Sequence, residues 1–455
     1  MEATTLDTLA KWARGQVVAG DPAATVTSIC TDSRTMKAGD IFLALKGDTF
    51  DGHSFVEEAA RRGALGAVVE KAPDILPRDF CVLQVSDTLF ALQRMAREYR
   101  KSLPVQIVCI TGSNGKTSTK DLASAVLRER FQITRTEGNL NNHIGLPLTM
   151  LKLRAGDQVG VLEIGMNHPG EIAPLAALAR PDVAVVTNIG IAHVEYMGSR
   201  EAIAQEKGTL VEALPPSGTA ILNADDDFSK LIASKTKADA IYCGLADDAN
   251  IRATELTQDF SGMKFQLHAF GKTVSAQLPV PGIHMVRNAL LAVGVGHVFG
   301  MSLEESVAGL MNLQLTKGRL EQKVVRGIQV LDDTYNANPD SMKAALLTLS
   351  QMSTNGRRIA VLGRMGELGA ESERGHRSVG QAASDLGLDC LVSVGDEAQL
   401  IAEEAWRGGI ATVVKAKDQD EAVKALRDYA RAGDIILVKG SRSSQMERIV
   451  EGLAA

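Results

Sequence analysis

The chain has 455 residues, 45% of them hydrophobic and 23% charged, which at about 150 residues per domain makes room for roughly three domains with buried cores. Lys and Arg number 49 against 55 Asp and Glu, a formal net charge of −6, and aromatic residues make up 4%. This mildly acidic, aromatic-poor balance excludes a nucleic-acid coat, a base-stacking platform or an anionic membrane surface as the main partner. A local basic pocket for a small anion stays compatible with it.

The first residues, MEATTLDTLAKWARGQVV, lack the apolar core of a signal peptide, and no apolar run reaches the length of a membrane span. Cys30, Cys81, Cys109, Cys243 and Cys390 are odd in number, far apart and without a CxxC pair. They point to a reducing, cytoplasmic setting without a disulfide framework or a zinc ribbon. The first hundred residues carry short apolar runs mixed with turns: SICTDSR, DIFLALKG, GALGAVVE and FCVLQV. From about residue 105 the runs VQIVCI, VGVLEIG, VAVVTNI and TAILNA are β-branched and apolar on both faces, as buried parallel strands are. Helical stretches such as TSTKDLASAVLRER and PGEIAPLAALA separate them. A second series, IQVLDDTY, RRIAVLG, DCLVSVG, ATVVKA and DIILVKG, alternates with helical SMKAALLTLSQM and EAVKALRDYARA. The alternation predicts an α/β protein with mainly parallel sheets. Junctions near Lys101–Pro104 and Thr316–Gly318 divide it into 1–101, 102–315 and 316–455.

The sharpest motif is IVCITGSNGKTS, residues 107–118. A buried strand ends in a glycine-rich turn and a helix begins at once. Such a turn lets the backbone approach phosphate oxygens, and the helix N-terminus offers free N–H groups and the positive end of its dipole. Lys116 is placed to reach the outer phosphates and the Thr117 hydroxyl to meet Mg²⁺. Gly112 and Gly115 are separated by two residues rather than the usual four, so the loop is a variant. No NKxD-like base-reading motif follows a later strand, which argues against a common GTPase.

Glu163 closes the apolar run VGVLE, where a carboxylate is costly unless paired or bound to metal. The C-terminal ends of parallel strands form the ligand crevice, and His193 follows the next strand in TNIGIAHVEYMG. Both are therefore candidates for the metal side of the site. Lys207, in the helical REAIAQEKGTL, reads on its own as a solvated surface lysine.

Eleven short strings then fall in one order along nearly the whole chain: TDSR (31–34), DGHSF (51–55), TGSNGKTS (111–118), NLNNHIGLPL (139–148), EIGMNHPGEI (163–172), TNIGIAHVEYMGS (187–199), IAQEKGTL (203–210), LNADDD (222–227), PGIHMVRNAL (281–290), KGRLE (317–321) and DDTYNANPDSM (332–342). In this the chain closely resembles the Mur ligase family, ATP-dependent amide-forming enzymes of cell-wall precursor synthesis. The resemblance implies an N-terminal UDP-substrate domain, a central ATPase domain with a P-loop, and a C-terminal Rossmann-like domain for the incoming amine. It implies that Gly112, Ser113, Asn114, Gly115, Lys116, Thr117 and Ser118 hold the ATP phosphates. Asn288, Arg319 and Asp333 would complete the ATP site. Thr117 and Glu163 would bind one Mg²⁺, and His193 a second. The lysine matching Lys207 is carbamylated in the family, which makes it an anionic metal ligand. Lys116, His193 and Lys207 would thus act in catalysis.

On the substrate side the resemblance implies Ser33 and Arg34 for the uridine diphosphate, with Asn141, Asn142, Tyr335, Asn336, Asn338 and Ser341. The last of the eleven strings, with Glu367-Leu368-Gly369, is most similar to members that add D-alanyl-D-alanine to UDP-N-acetylmuramoyl-tripeptide. Both partners would be small molecules bound by a monomer. Sister ligases that add one amino acid, and folylpolyglutamate synthase-like ligases, are the alternatives. Two positions depart from the family pattern. Arg364 stands where LGDM usually has an acid, a charge reversal near the amine-binding face, and Met285 stands where PGxHN often has Asn.

Overall fold

The computed structural model describes every residue except 48 and 74–76. Its residues form two compact units. One comprises 1–109, 131–166 and 171–182, and the other 110–130, 167–170 and 183–455.

In the first unit, a five-stranded sheet runs in the order Gln16–Ala19, Cys81–Gln84, Gly66–Val69, Ile41–Leu43, Ile29–Cys30. All its pairings are parallel except that of the first strand. Phe42, Ala67, Val69 and Val82 face a core that also takes Val56 and Ala59 from the helix Val56–Arg61. The helix Thr88–Lys101 starts where the Asp87 carboxylate accepts the Phe90 N–H at 2.7 Å. It buries Ala91, Leu92, Met95, Ala96 and Tyr99, spaced three and four apart as one helical face requires. The buried Tyr99 hydroxyl is satisfied by donating to the Leu153 carbonyl at 2.6 Å. Farther along, Ile133–Arg135 and Val159–Glu163 pair in parallel.

The second unit begins with the helix Lys116–Arg128. Strands Val183–Val186, Thr219–Asn223 and Asp239–Gly244 follow as a parallel set. Beyond them lies an antiparallel meander of Ile251–Asp259, Gly262–Ala269 and Lys272–Leu278, which the search for continuous apolar runs passed over. Its strands alternate buried and open residues, because one face meets water. The helix Ile283–Val298 is apolar nearly all round and buries eleven of its residues, from Met285 to Gly296. It packs on the helix Lys116–Arg128.

The remaining six-stranded sheet has the order Glu321–Val325, Ile328–Asp333, Ile435–Lys439, Arg358–Gly363, Cys390–Val394, Thr412–Ala416. Only the first pairing is antiparallel. On one face Val330, Ile359, Val361, Ile436 and Val438 pack with Leu426, Ile449, Val450 and Leu453 from the covering helices. Each such side chain contributes about 1.5–3 kcal/mol by leaving water. The five cysteines are free thiols, four of them buried. No helix among the described residues is long and apolar enough to cross a membrane.

Candidate functional site: the phosphate loop and its surroundings

The strand Gln106–Thr111 ends at Gly112, whose φ of 150° is open only to glycine. A Cβ there would lie 1.8 Å from Thr187 Oγ1. Gly115, at φ 78°, caps the helix that starts at Lys116, and a Cβ on it would lie 2.6 Å from Asn288 Oδ1. Between these glycines the loop is tied to the segment after Val183–Val186. The Ser113 N–H donates to the Asn188 carbonyl at 2.9 Å and the Asn114 N–H to Asn188 Oδ1 at 3.0 Å. Lys116 Nζ folds back on the loop, donating to the Gly112 carbonyl at 2.8 Å and the Ser113 carbonyl at 3.3 Å. A rigid, glycine-defined turn with an ammonium over it and a helix N-terminus behind it has the form of an anion cradle. Asn288 stands beside this turn. Its side chain touches the Met285 sulfur at 3.8 Å, where the family pattern has Asn.

Lys207 lies on the helix Arg200–Glu212 with only 1% of its surface exposed, so it is not the solvated lysine its local sequence predicts. Burial pushes its pKa well below the ordinary lysine value, the Lys116 charge adds to that, and Glu206 opposes it. Burial thus shifts Lys207 toward the neutral amine. His193 has a left-handed backbone, φ 63°, at the start of the short helix Val194–Met197. Its Nδ1 lies 2.9 Å from Glu367 Oε2. That contact, with the charges of Lys116 and His168, holds the Glu367 carboxyl below its usual pKa.

The C-terminal part of the same unit brings further groups to the loop. Arg319 stacks on the Tyr335 ring, 4.2 Å from its centroid, and Nη2 reaches Thr117 Oγ1 at 3.4 Å. Asp333 is buried, accepts the Leu320 N–H at 3.3 Å and pairs with Lys439 at 2.5 Å. Asn338 Nδ2 donates to Asn114 Oδ1 at 2.7 Å. Asn338 and Ser341 also form the capping box of the helix Pro339–Ser350, so their hydrogen bonds are already engaged. Asn336 is exposed. Arg364 meets Glu397 at 3.3 Å with both side chains 45% exposed, so a local carboxylate answers its reversed charge.

In the first unit, Glu163 is 2% exposed at the end of its strand. Asn141 Nδ2 donates to Glu163 Oε1 at 2.8 Å, while Oε2 has no hydrogen-bond partner among the described residues. A buried carboxylate oxygen left this way is suited to a cation. Asn142 Oδ1 accepts the Ile144 and Gly145 N–H groups and so shapes the turn into the helix Gly145–Met150. Ser33 is buried and Arg34 is exposed, held by a bidentate contact to Asp32 at 2.9 and 2.8 Å. Among the described residues no three His, Cys, Asp or Glu side chains gather into a metal cage.

Three family models match in order: Mur ligase family, catalytic domain, at residues 25–100; Mur ligase middle domain at 110–296; and Mur ligase, glutamate ligase domain, at 318–442. The chain is 36% identical over 460 residues to the UDP-N-acetylmuramoyl-tripeptide–D-alanyl-D-alanine ligase of Escherichia coli, covering 100% of this chain and 99% of that one. The chain belongs to the Mur ligase family. The Bacillus subtilis enzyme of the same name is also 36% identical, over 94% of this chain and 93% of its own. Among solved structures, the UDP-N-acetylmuramoylalanyl-D-glutamyl-2,6-diaminopimelate–D-alanyl-D-alanyl ligase from Acinetobacter baumannii superposes with a TM-score of 0.89 at 34% identity, over 100% of this chain and 98% of that one. The MurF ligase from Thermotoga maritima in complex with ADP gives 0.84 at 28% identity, over 94% and 97%.

Within this Mur ligase, sequence reasoning passed over Lys439, and it gave no partner to Glu367 or Asn188, which lie in strings it singled out. Lys439 carried a legible signal: it is a charge at the end of the apolar run IILVK, as Glu163 is in VGVLE. The pairings of Glu367 and Asn188 carried none, because their partners His193 and Asn114 are remote in the chain.

Proposed function

We propose that this Mur ligase uses ATP to join D-alanyl-D-alanine to the terminal carboxylate of UDP-N-acetylmuramoyl-tripeptide, in the cytoplasm, as a step of peptidoglycan precursor synthesis. The observation that carries the reading is identity along essentially the full length to ligases of that name. The loop Gly112–Ser118 is assigned the ATP phosphates, supported by its glycine-defined backbone and helix N-terminus. Asn288 beside Gly115, and Arg319 with Asp333 from the C-terminal part, are assigned to the nucleotide as well.

A carboxylate is a poor electrophile, and the reaction answers this in two steps. The carboxylate oxygen attacks the γ-phosphorus, the bond to ADP breaks, and an acyl phosphate forms. The free amine of the dipeptide then attacks the carbonyl carbon. The tetrahedral centre collapses by losing inorganic phosphate, and the nitrogen gives up its proton. Lys116 offsets the charge of the transferring phosphoryl group. The family resemblance assigns Thr117 and Glu163 to one Mg²⁺ and His193 with a carbamate on Lys207 to a second; for Glu163 the support is its partnerless Oε2. Such ions supply neutralisation between two anionic reactants. The neutral form of the Lys207 amine, toward which burial shifts it, is the state that adds CO₂. Ser33, Arg34, Asn141, Asn142, Tyr335, Asn336, Asn338 and Ser341 are assigned to the two substrates. For Asn142, Asn338 and Ser341 the support is indirect, since they shape the backbone through a turn and a cap.

Phosphate release by the purified protein, with UDP-N-acetylmuramoyl-tripeptide and a panel of amines, tests the assignment. D-alanyl-D-alanine should support turnover and single amino acids should not. The reverse result would reassign the chain to a sister activity within the family.

A further inference from the structure

Lys439 is a buried cation that the reaction just described does not use. It ends the strand Ile435–Lys439 with 2% of its surface exposed. An ammonium in such a place is costly unless fully partnered. Burial lowers its pKa from the ordinary lysine value, and Asp333 opposes that shift. Its contacts join three segments of chain. Asp333 lies directly across the sheet and takes Nζ at 2.5 Å. The Asn336 carbonyl, in the loop that follows Asp333, takes it at 3.0 Å. The other carboxylate oxygen of Asp333 accepts the Leu320 N–H, and the Tyr335 N–H donates to the Gly318 carbonyl at 3.0 Å. Arg319 is thus bracketed by two held neighbours, Gly318 and Leu320, and lies on the Tyr335 ring whose loop Lys439 also grips. Leu320 keeps a left-handed φ of 51°, a conformation that persists only where its surroundings impose it.

We propose that Lys439 is a positioning residue for the nucleotide: by holding Asp333 and the Asn336 carbonyl it fixes the Gly318–Leu320 turn and aims Arg319 at the phosphate loop. The proposal rests on the assignment of residues 112–118 to ATP. The hydrogen bonds of Lys439 go to Asp333 and the Asn336 carbonyl, so its effect on the nucleotide passes through the groups they hold, Arg319 among them.

The test compares Lys439→Met, Arg319→Ala and the double variant in the full-length protein, reading KM for ATP, the ADP dissociation constant and KM for UDP-N-acetylmuramoyl-tripeptide. Lys439→Met should weaken ATP and ADP by about tenfold and shift KM for the tripeptide substrate by less than that, although Tyr335 and Asn336 share the loop it holds. In the double variant the loss should be smaller than the sum of the two single losses, because Lys439 acts on the nucleotide partly through Arg319. Full additivity, or a lowered melting temperature with unchanged ADP affinity, would overturn the proposal and make Lys439 a core ion pair only. Lys439→Gln, neutral but still able to donate to both acceptors, should restore ADP affinity relative to Lys439→Met, and where Lys439→Met does not fold it should bind ADP as the parent does; a tenfold loss in Lys439→Gln would overturn the proposal. Lys116→Ala separates the two readings: unchanged ADP affinity there defeats the assignment of the loop itself.

Discussion

Three ionisable residues of the site differ in how far the sequence discloses them. Glu163 was legible because an acid inside an apolar strand violates the cost of burying charge. His193 was half-legible, since its place after a strand end points to the crevice but does not predict Glu367 beside it. Lys207 was illegible from its own surroundings; a lysine on a helix of mixed composition looks solvated until tertiary packing closes over it. His284, half-buried at the start of the helix Ile283–Val298, is another ionisable group of this kind. Burial pushes its pKa from 6.5 to about 4, with Lys439 and Arg287 acting in the same direction and Asp333 against. Between those values the unfolded chain binds the proton and the folded chain does not, so stability rises with pH there. The neutral imidazole's contribution is present above 6.5 and is lost as the pH falls toward 4. His284→Gln should remove about 3 kcal/mol of the destabilisation seen between neutral pH and acid. Urea titrations of both proteins across that range provide the measurement.

At the scale of elements, runs apolar on both faces announced the parallel strands, and the helix Pro339–Ser350 was visible in SMKAALLTLSQM. The antiparallel strands Ile251–Leu278 were not, because alternation with one wet face leaves no continuous run. The helix Ile283–Val298 was also obscured, since a helix buried all round has no polar stripe to mark its period. The start of Pro339–Ser350 does two things at once. Asn338 caps it through Oδ1 and reaches Asn114 through Nδ2. Ser caps as well as Asn but is too short to reach. Asn338→Ser should therefore keep the denaturation midpoint close to that of the parent and weaken ADP binding. Asn338→Ala should lose both, with about 1 kcal/mol of stability gone. Chemical denaturation alongside ADP titration separates the two contributions.

For the whole molecule, the net charge of −6 gives no attraction for nucleotides. The positive field has to be local, from Lys116, Arg319 and the helix beginning at Lys116. Two compact units also mean that a single unfolding free energy is not defined for the chain. A ligand stabilises only what it binds in the folded state. ADP with chelator present should raise the transition of the unit holding 110–130 and 183–455, while UDP-N-acetylmuramoyl-tripeptide without nucleotide should raise that of the unit holding 1–109. Differential scanning calorimetry reads both. If each ligand moved both transitions equally, the division of the two substrates between units would be wrong.

The path of the chain has a consequence for biosynthesis. It changes unit at 109/110, 130/131, 166/167, 170/171 and 182/183. The first unit is therefore incomplete until residue 182 has left the ribosome, although its sheet of short strands is finished by Gln84. A fragment cut after residue 101 would end with the helix Thr88–Lys101 lacking Leu153, the acceptor for its buried Tyr99 hydroxyl. Neither unit can be excised as one continuous stretch, so gene fusions or deletions that respect only sequence order would divide one unit to isolate the other.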